Sequence, residues 1–127
     1  MSHSADLSPA ERQHAARRAV EDLGGGRDAH AVLRVRCGRS HHVATVFDTA
    51  LGAVYESSVG PHAHGQRDFV DEPHRASKHG TRYLDLLDAD RFTEDSVPAH
   101  CECGNHQLSR TELRQAIDSG RHTMQLS

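Results

Sequence analysis

Apolar and polar residues alternate from Ala31 to Cys37, with Leu33, Val35 and Cys37 on one face and Arg34 and Arg36 on the other. A period of two predicts a half-buried strand. The turn Cys37-Gly38-Arg39-Ser40-His41 follows, and His42–Phe47 reads as the returning strand. After a second turn, Asp48–Gly52, Ala53–Val59 reads as a third strand. The three predict an antiparallel meander with a cysteine turn at one end. Arg82–Leu87 predicts a further strand with Tyr83 and Leu87 on one side, a short amphipathic helical turn being the alternative. Near the end of the chain His122, Met124 and Leu126 alternate over Arg121–Leu126, which predicts an edge strand added to the meander.

The period changes in two places. Ser8 reads as a helix N-cap, with Pro9 at the first helical position and Glu11 at the third completing a capping box. This helix should run to about Leu23 and stop at Gly24-Gly25-Gly26. Its apolar stripe is thin (Ala16, Ala19, Val20, Leu23), and the opposite face carries Arg and Glu, as expected of a solvated covering helix. Gly24–Asp28 reads as a flexible linker. The second helix is more strongly signalled. Ser109 caps it, Glu112 completes the box, and Leu108 with Leu113 forms a hydrophobic staple. Leu113, Ala116 and Ile117 share a face, and Gly120 is placed to end the helix in a left-handed conformation. Gly60–Thr81 has no periodicity, and Asp88–Ser96 reads as an acidic loop. The fold class this predicts is α+β: a small antiparallel sheet with an N-terminal and a C-terminal helix. Residues 1–28 form tail, helix and linker, and residues 29–127 the sheet domain, with a His-rich insertion at 60–81.

Composition adds a constraint. A chain of 127 residues with 35% hydrophobic and 4% aromatic residues has little material for a core. Such a chain needs a staple, and a metal ion is one. The net charge of -3 is not that of a general nucleic-acid binder. Lys78 is the only lysine, and we read the arginine bias as GC-rich coding. Three cysteines, an odd number, fit a complete disulfide framework badly. The start, MSHSADLSPAERQ, lacks the apolar core of a signal peptide, and no stretch approaches the roughly 18 apolar residues of a membrane span. The expected location is the cytoplasm, where cysteine clusters bind metal more often than they form disulfides.

Cys37 lies in the first turn, and Cys101 and Cys103 lie in a second, Cys101-Glu102-Cys103-Gly104. Zinc takes four sulfur or nitrogen ligands in a tetrahedron. Cys37, Cys101 and Cys103 supply three, and His41, at Cys-x-x-x-His spacing from Cys37, is the favoured fourth. His42 can replace it, as can His106, three residues after Cys103, and His100 is a weaker candidate. A closed Cys3His site stabilises structure, whereas a catalytic zinc keeps a position open for water.

These two turns resemble the knuckles of the zinc ribbon, in which turns on β-hairpins pinch one zinc ion. The order of knuckle, short helix and strand also looks like small, uncharacterised zinc-ribbon proteins of the actinobacterial type. The resemblance covers the knuckles, Cys37–His41 and Cys101–Gly104, with the strands and helix beside them, and implies a structural zinc. It does not choose a function, because zinc ribbons serve as scaffolds in many settings.

Other chemistry is sparser. His62 and His64, with Asp68, Asp71, Glu72, His74 and His79 nearby, form a loop that suits a catalytic metal, which makes a metal-dependent hydrolase the alternative function. No His-Glu-x-x-His, Gly-x-Ser-x-Gly or phosphate-binding Gly-Lys-Ser/Thr motif accompanies it. Residues 10–42 are locally basic, and Arg34, Arg36 and Arg39 form a strand face that suits phosphates of RNA or DNA. The expected function is a non-enzymatic, zinc-stabilised adaptor that binds a protein or ribonucleoprotein partner.

Overall fold

The computed structural model describes residues 8–58, 82–88 and 93–126. Helix α1 spans Pro9–Glu21 and α2 spans Arg110–Asp118. The strands are β1 (Ala31–Arg36), β2 (His42–Thr49), β3 (Gly52–Ser58), β4 (Arg82–Leu86), β5 (His100–Cys101), β6 (Gly104–Asn105) and β7 (Thr123–Gln125). Five of them form one sheet in the order β4-β3-β2-β1-β7, and β5 with β6 forms a separate hairpin. The architecture is the small α+β fold read from the sequence. The predicted meander is β1-β2-β3, and β4 extends it antiparallel to β3.

The closing strand differs in direction. β7 adds to the β1 edge as expected, but it runs parallel to β1, pairing Arg34 with Thr123 and Arg36 with Gln125. A parallel neighbour must be reached by a crossover, and α2 precedes β7 on that route. The sheet is therefore mostly, not wholly, antiparallel.

Both helices have the capping boxes their sequences predict. The Ser8 hydroxyl accepts from the Glu11 N–H, and the Ser109 hydroxyl from the Glu112 N–H. Gly120 has φ +80°, the left-handed geometry that ends α2. The segment expected to be a flexible linker is instead a 3-10 helix, Gly24–His30. Only Gly24 there takes a positive φ, +58°, and it turns the chain out of α1; the rest makes ordinary short-range helical bonds.

The sheet carries an apolar cluster on each face. On one, α1 lays Ala16, Ala19 and Val20 against Phe47, Val54, Leu84 and Leu86. The other is larger: Leu33, Val35, Val46 and Tyr55 meet Val97, Ala99, Leu108, Leu113 and Ala116 from the second knuckle and α2. The staple residues Leu108 and Leu113 are both buried in it. Cys37 and Cys101 belong to this second cluster, so the core continues into the cysteine turns.

Arg12 corrects the reading of α1 as a helix with a solvated charged face. It is buried, and its guanidinium meets the fully buried Asp85 of β4. Arg110, the first residue of α2, reaches the same carboxylate. One edge-strand carboxylate thus ties together the two helices that cover opposite faces. No helix among the described residues is long and apolar enough to cross a membrane.

Candidate metal centre

The first knuckle closes the β1–β2 connection. Cys37 N–H donates to the His41 carbonyl at 3.0 Å, and Ser40 N–H donates to the Cys37 carbonyl at 2.8 Å. Ser40 takes φ +69°, a left-handed conformation that costs a non-glycine residue energy and tightens the turn. Arg39 N–H points back at Cys37 Sγ, 3.3 Å away. From the far edge, Gln125 Nε2 donates to the Gly38 carbonyl at 3.4 Å, and Leu126 N–H to the Arg36 carbonyl at 2.8 Å. The tail therefore braces the strand that carries Cys37.

The second knuckle is the tip of the β5–β6 hairpin. Gly104, at φ +116°, permits the turn, and Cys103 N–H donates to Cys101 Sγ at 3.3 Å, repeating the N–H to sulfur arrangement of the first knuckle. Two hydroxyls of the main sheet hold its approach: Tyr55 and Ser57 both donate to the Pro98 carbonyl, at 2.6 and 2.9 Å. His106 N–H donates to the Ala99 carbonyl at 2.8 Å.

The two turns, sixty residues apart in sequence from His41 to Cys101, meet. One ligand atom each from Cys37, His41, Cys101 and Cys103 lies within 4.8 Å of every other. His41 Nδ1 is 3.4 Å from Cys103 Sγ and 3.9 Å from Cys101 Sγ. A tetrahedron built on zinc–sulfur bonds of about 2.3 Å has edges of roughly 3.8 Å. The four side chains lie close enough to hold one metal ion. Among the described residues no other group of three or more His, Cys, Asp or Glu side chains converges in this way.

The electrostatics fit a cation. All three cysteines are free. Burial pushes the Cys37 thiol up, but N–H groups of Arg39 and His41 and its two thiol neighbours outweigh that and bring it down to about 7. Cys101 is pushed up, first by burial and then by the neighbouring sulfurs, against the pull of the Cys103 N–H. The neighbouring thiols favour the Cys37 thiolate, which in turn opposes ionisation of Cys101, and a bound cation would remove that conflict by taking all three as thiolates.

The other histidines weighed from the sequence are placed differently. His42 Nε2 is 2.8 Å from Thr45 Oγ1; burial, then Arg36 and Arg34, lower its pKa. His100 Nδ1 is 3.0 Å from Asn105 Oδ1, across its own hairpin. His106 Nε2 stands 3.0 Å from Cys101 Sγ, outside the group of four. In the tautomer protonated at Nε2 it would donate to that sulfur, an arrangement that spacing alone did not suggest. The His62/His64 loop lies outside the described residues. Comparison with protein-family models, curated proteins and solved structures finds no match to this chain.

Proposed function

We propose that the chain is a zinc-stabilised, non-catalytic binding module of the zinc-ribbon kind, in which Cys37, His41, Cys101 and Cys103 hold one structural zinc ion. The observation that carries this reading is the convergence of four sulfur and nitrogen ligand atoms within 4.8 Å. Three thiolates and an imidazole suit zinc better than calcium or magnesium, which take oxygen ligands. Four protein ligands fill a tetrahedron, leaving no position for the water that a hydrolytic zinc would activate.

The zinc joins the β1–β2 turn to the β5–β6 hairpin, which the polar chain otherwise links through a modest core. In small zinc domains such a site contributes about 10–16 kcal/mol of apparent binding energy, which becomes folding energy. With its chemistry committed to structure, the chain acts by presenting a surface to a macromolecular partner. Free thiols in a metal site also fit a reducing compartment, and we place the protein in the cytoplasm. The test is Cys101→Ser: loss of zinc together with loss of cooperative unfolding supports the module. A variant that keeps its fold without metal contradicts it.

A further inference from the structure

We infer that the sheet face beside α1 is a docking surface for duplex RNA, held through its phosphates. This deepens the binding-module reading and rests on it for the fold that presents the surface. Five arginines from four segments gather there. Arg34 and Arg36 stand on β1, and Arg36 is the cross-strand partner of His42. Across the sheet, register aligns Arg34 with Thr45 and Thr45 with Glu56, so these share a face. Arg82, paired with Ser58 one step further along, lies on that face too and forms an ion pair with Glu56. Arg17 of α1 donates to the Arg82 carbonyl at 3.3 Å. Burial lowers the Arg82 pKa first, followed by the nearby charges of Arg27 and Arg17, with Glu21 opposing.

Glu56 and Glu21 balance only part of this charge. Arg34 and Arg36 make no ion pair among the described residues, and Arg36 is turned toward the Ser40 carbonyl, 3.3 Å away. From β1 to β4 the row spans three strand spacings, about 14 Å. Like charges crowded on one face raise the energy of the free protein, and an anionic ligand relieves it.

The chemistry of the face separates the candidate anions. A protein partner would be met by aromatic or aliphatic anchors at the centre of its interface. The exposed large hydrophobic residue among the described ones is Leu51, in the β2–β3 turn at the far end from the knuckle. Among the described residues no exposed aromatic stands ready to stack unpaired bases, which disfavours single strands. α1 lies on this face with its Ala16, Ala19 and Val20 side against the sheet. Arg34, Arg36 and Arg82 stand on strands beside it, and a row carried across strands is poorly matched to the DNA major groove, which takes a helix or a two-stranded ribbon. Such a row suits the wide, shallow minor groove of an RNA duplex, which is recognised by shape and phosphate contacts.

The experiment titrates zinc-loaded full-length protein against a short RNA duplex, a DNA duplex of matching sequence and polyglutamate, over a range of salt. Expected is RNA binding that weakens steeply with salt, with Arg34→Gln, Arg36→Gln and Arg82→Gln each costing several-fold and lowering the salt slope by about one. Arg114→Gln, which breaks the exposed pairs with Asp88 and Asp118 on α2, away from this face, should leave binding unchanged. Circular dichroism and zinc content accompany each variant. No RNA binding by folded, zinc-loaded protein at low salt overturns the proposal. So does binding untouched by the three substitutions in folded protein, or equal preference for DNA or polyglutamate. Protein that folds without zinc and still binds the RNA duplex supports this surface while contradicting the metal reading.

Discussion

Arg12 and Asp85, 73 residues apart in sequence, meet in the interior through two hydrogen bonds, Nε to Oδ1 at 2.6 Å and Nη2 to Oδ2 at 3.1 Å. Arg110 adds a third to Oδ2 at 2.8 Å, and the Tyr83 hydroxyl a fourth at 2.7 Å. Arg110 also donates to the Leu86 carbonyl at 2.6 Å. Two guanidiniums around one carboxylate leave a positive excess that the Leu86 and Leu87 carbonyls, both accepting from Arg110, disperse.

Removing the shared anion is expected to be costly. Asp85→Asn leaves two buried guanidiniums facing each other and should destabilise the fold by about 3–5 kcal/mol, read as a lower denaturant midpoint. The same pair sets a pH dependence. Burial pushes the Asp85 carboxyl up, but hydrogen bonds from Arg12, Tyr83 and Arg110 outweigh it and hold it below the ordinary range. Because the folded-state pKa is depressed, the unfolded chain binds the proton more readily. The stabilisation is therefore complete above the unfolded value of about 4 and is lost as pH falls through the folded one. The stability gap between wild type and Asp85→Asn should shrink as pH is lowered below about 4; a gap independent of pH would contradict the assignment.

Leu113 offers a test of the larger core. It is fully buried at the staple of α2. Leu113→Ala should cost about 2–5 kcal/mol in equilibrium unfolding, with the zinc content of the folded fraction retained. A cost well under 1 kcal/mol would mean that α2 does not seal the sheet.

Much of this fold was legible because local signals agreed. The alternation at Leu33, Val35 and Cys37, the capping boxes at Ser8 and Ser109, and Gly120 each specify geometry within a few residues, and the structure has them there. Cys37, His41, Cys101 and Cys103 were legible as a set because zinc restricts the ligand types. The parallel direction of β7 was not legible, since alternation gives a strand no direction. The role of Arg12 was hidden as well: its partner lies on a distant strand, and on a helical wheel it is one more charged residue. Asp85 did carry a signal, as the acidic residue within Tyr83-Leu84-Asp85-Leu86-Leu87, where the apolar setting asks for a partner.

The proposed site assigns His41 as a ligand and His106 as a support for Cys101. His41 Nδ1 belongs to the group of four, whereas His106 Nε2 contacts Cys101 Sγ. His41→Ala should remove a ligand and open the site, seen with cobalt as a change in coordination number. His106→Ala should keep four-coordinate cobalt but weaken zinc about 10–100-fold in chelator competition, with His106→Gln restoring part of the loss. The opposite pattern would make His106 the ligand.

The most direct test of the central claim is the metal content of the full-length protein, purified without chelator and measured by native mass spectrometry beside elemental analysis. The account predicts one zinc ion per chain, released only with unfolding and absent from Cys101→Ser. A folded wild-type chain that carries no metal, and takes up none when zinc is supplied, would contradict it.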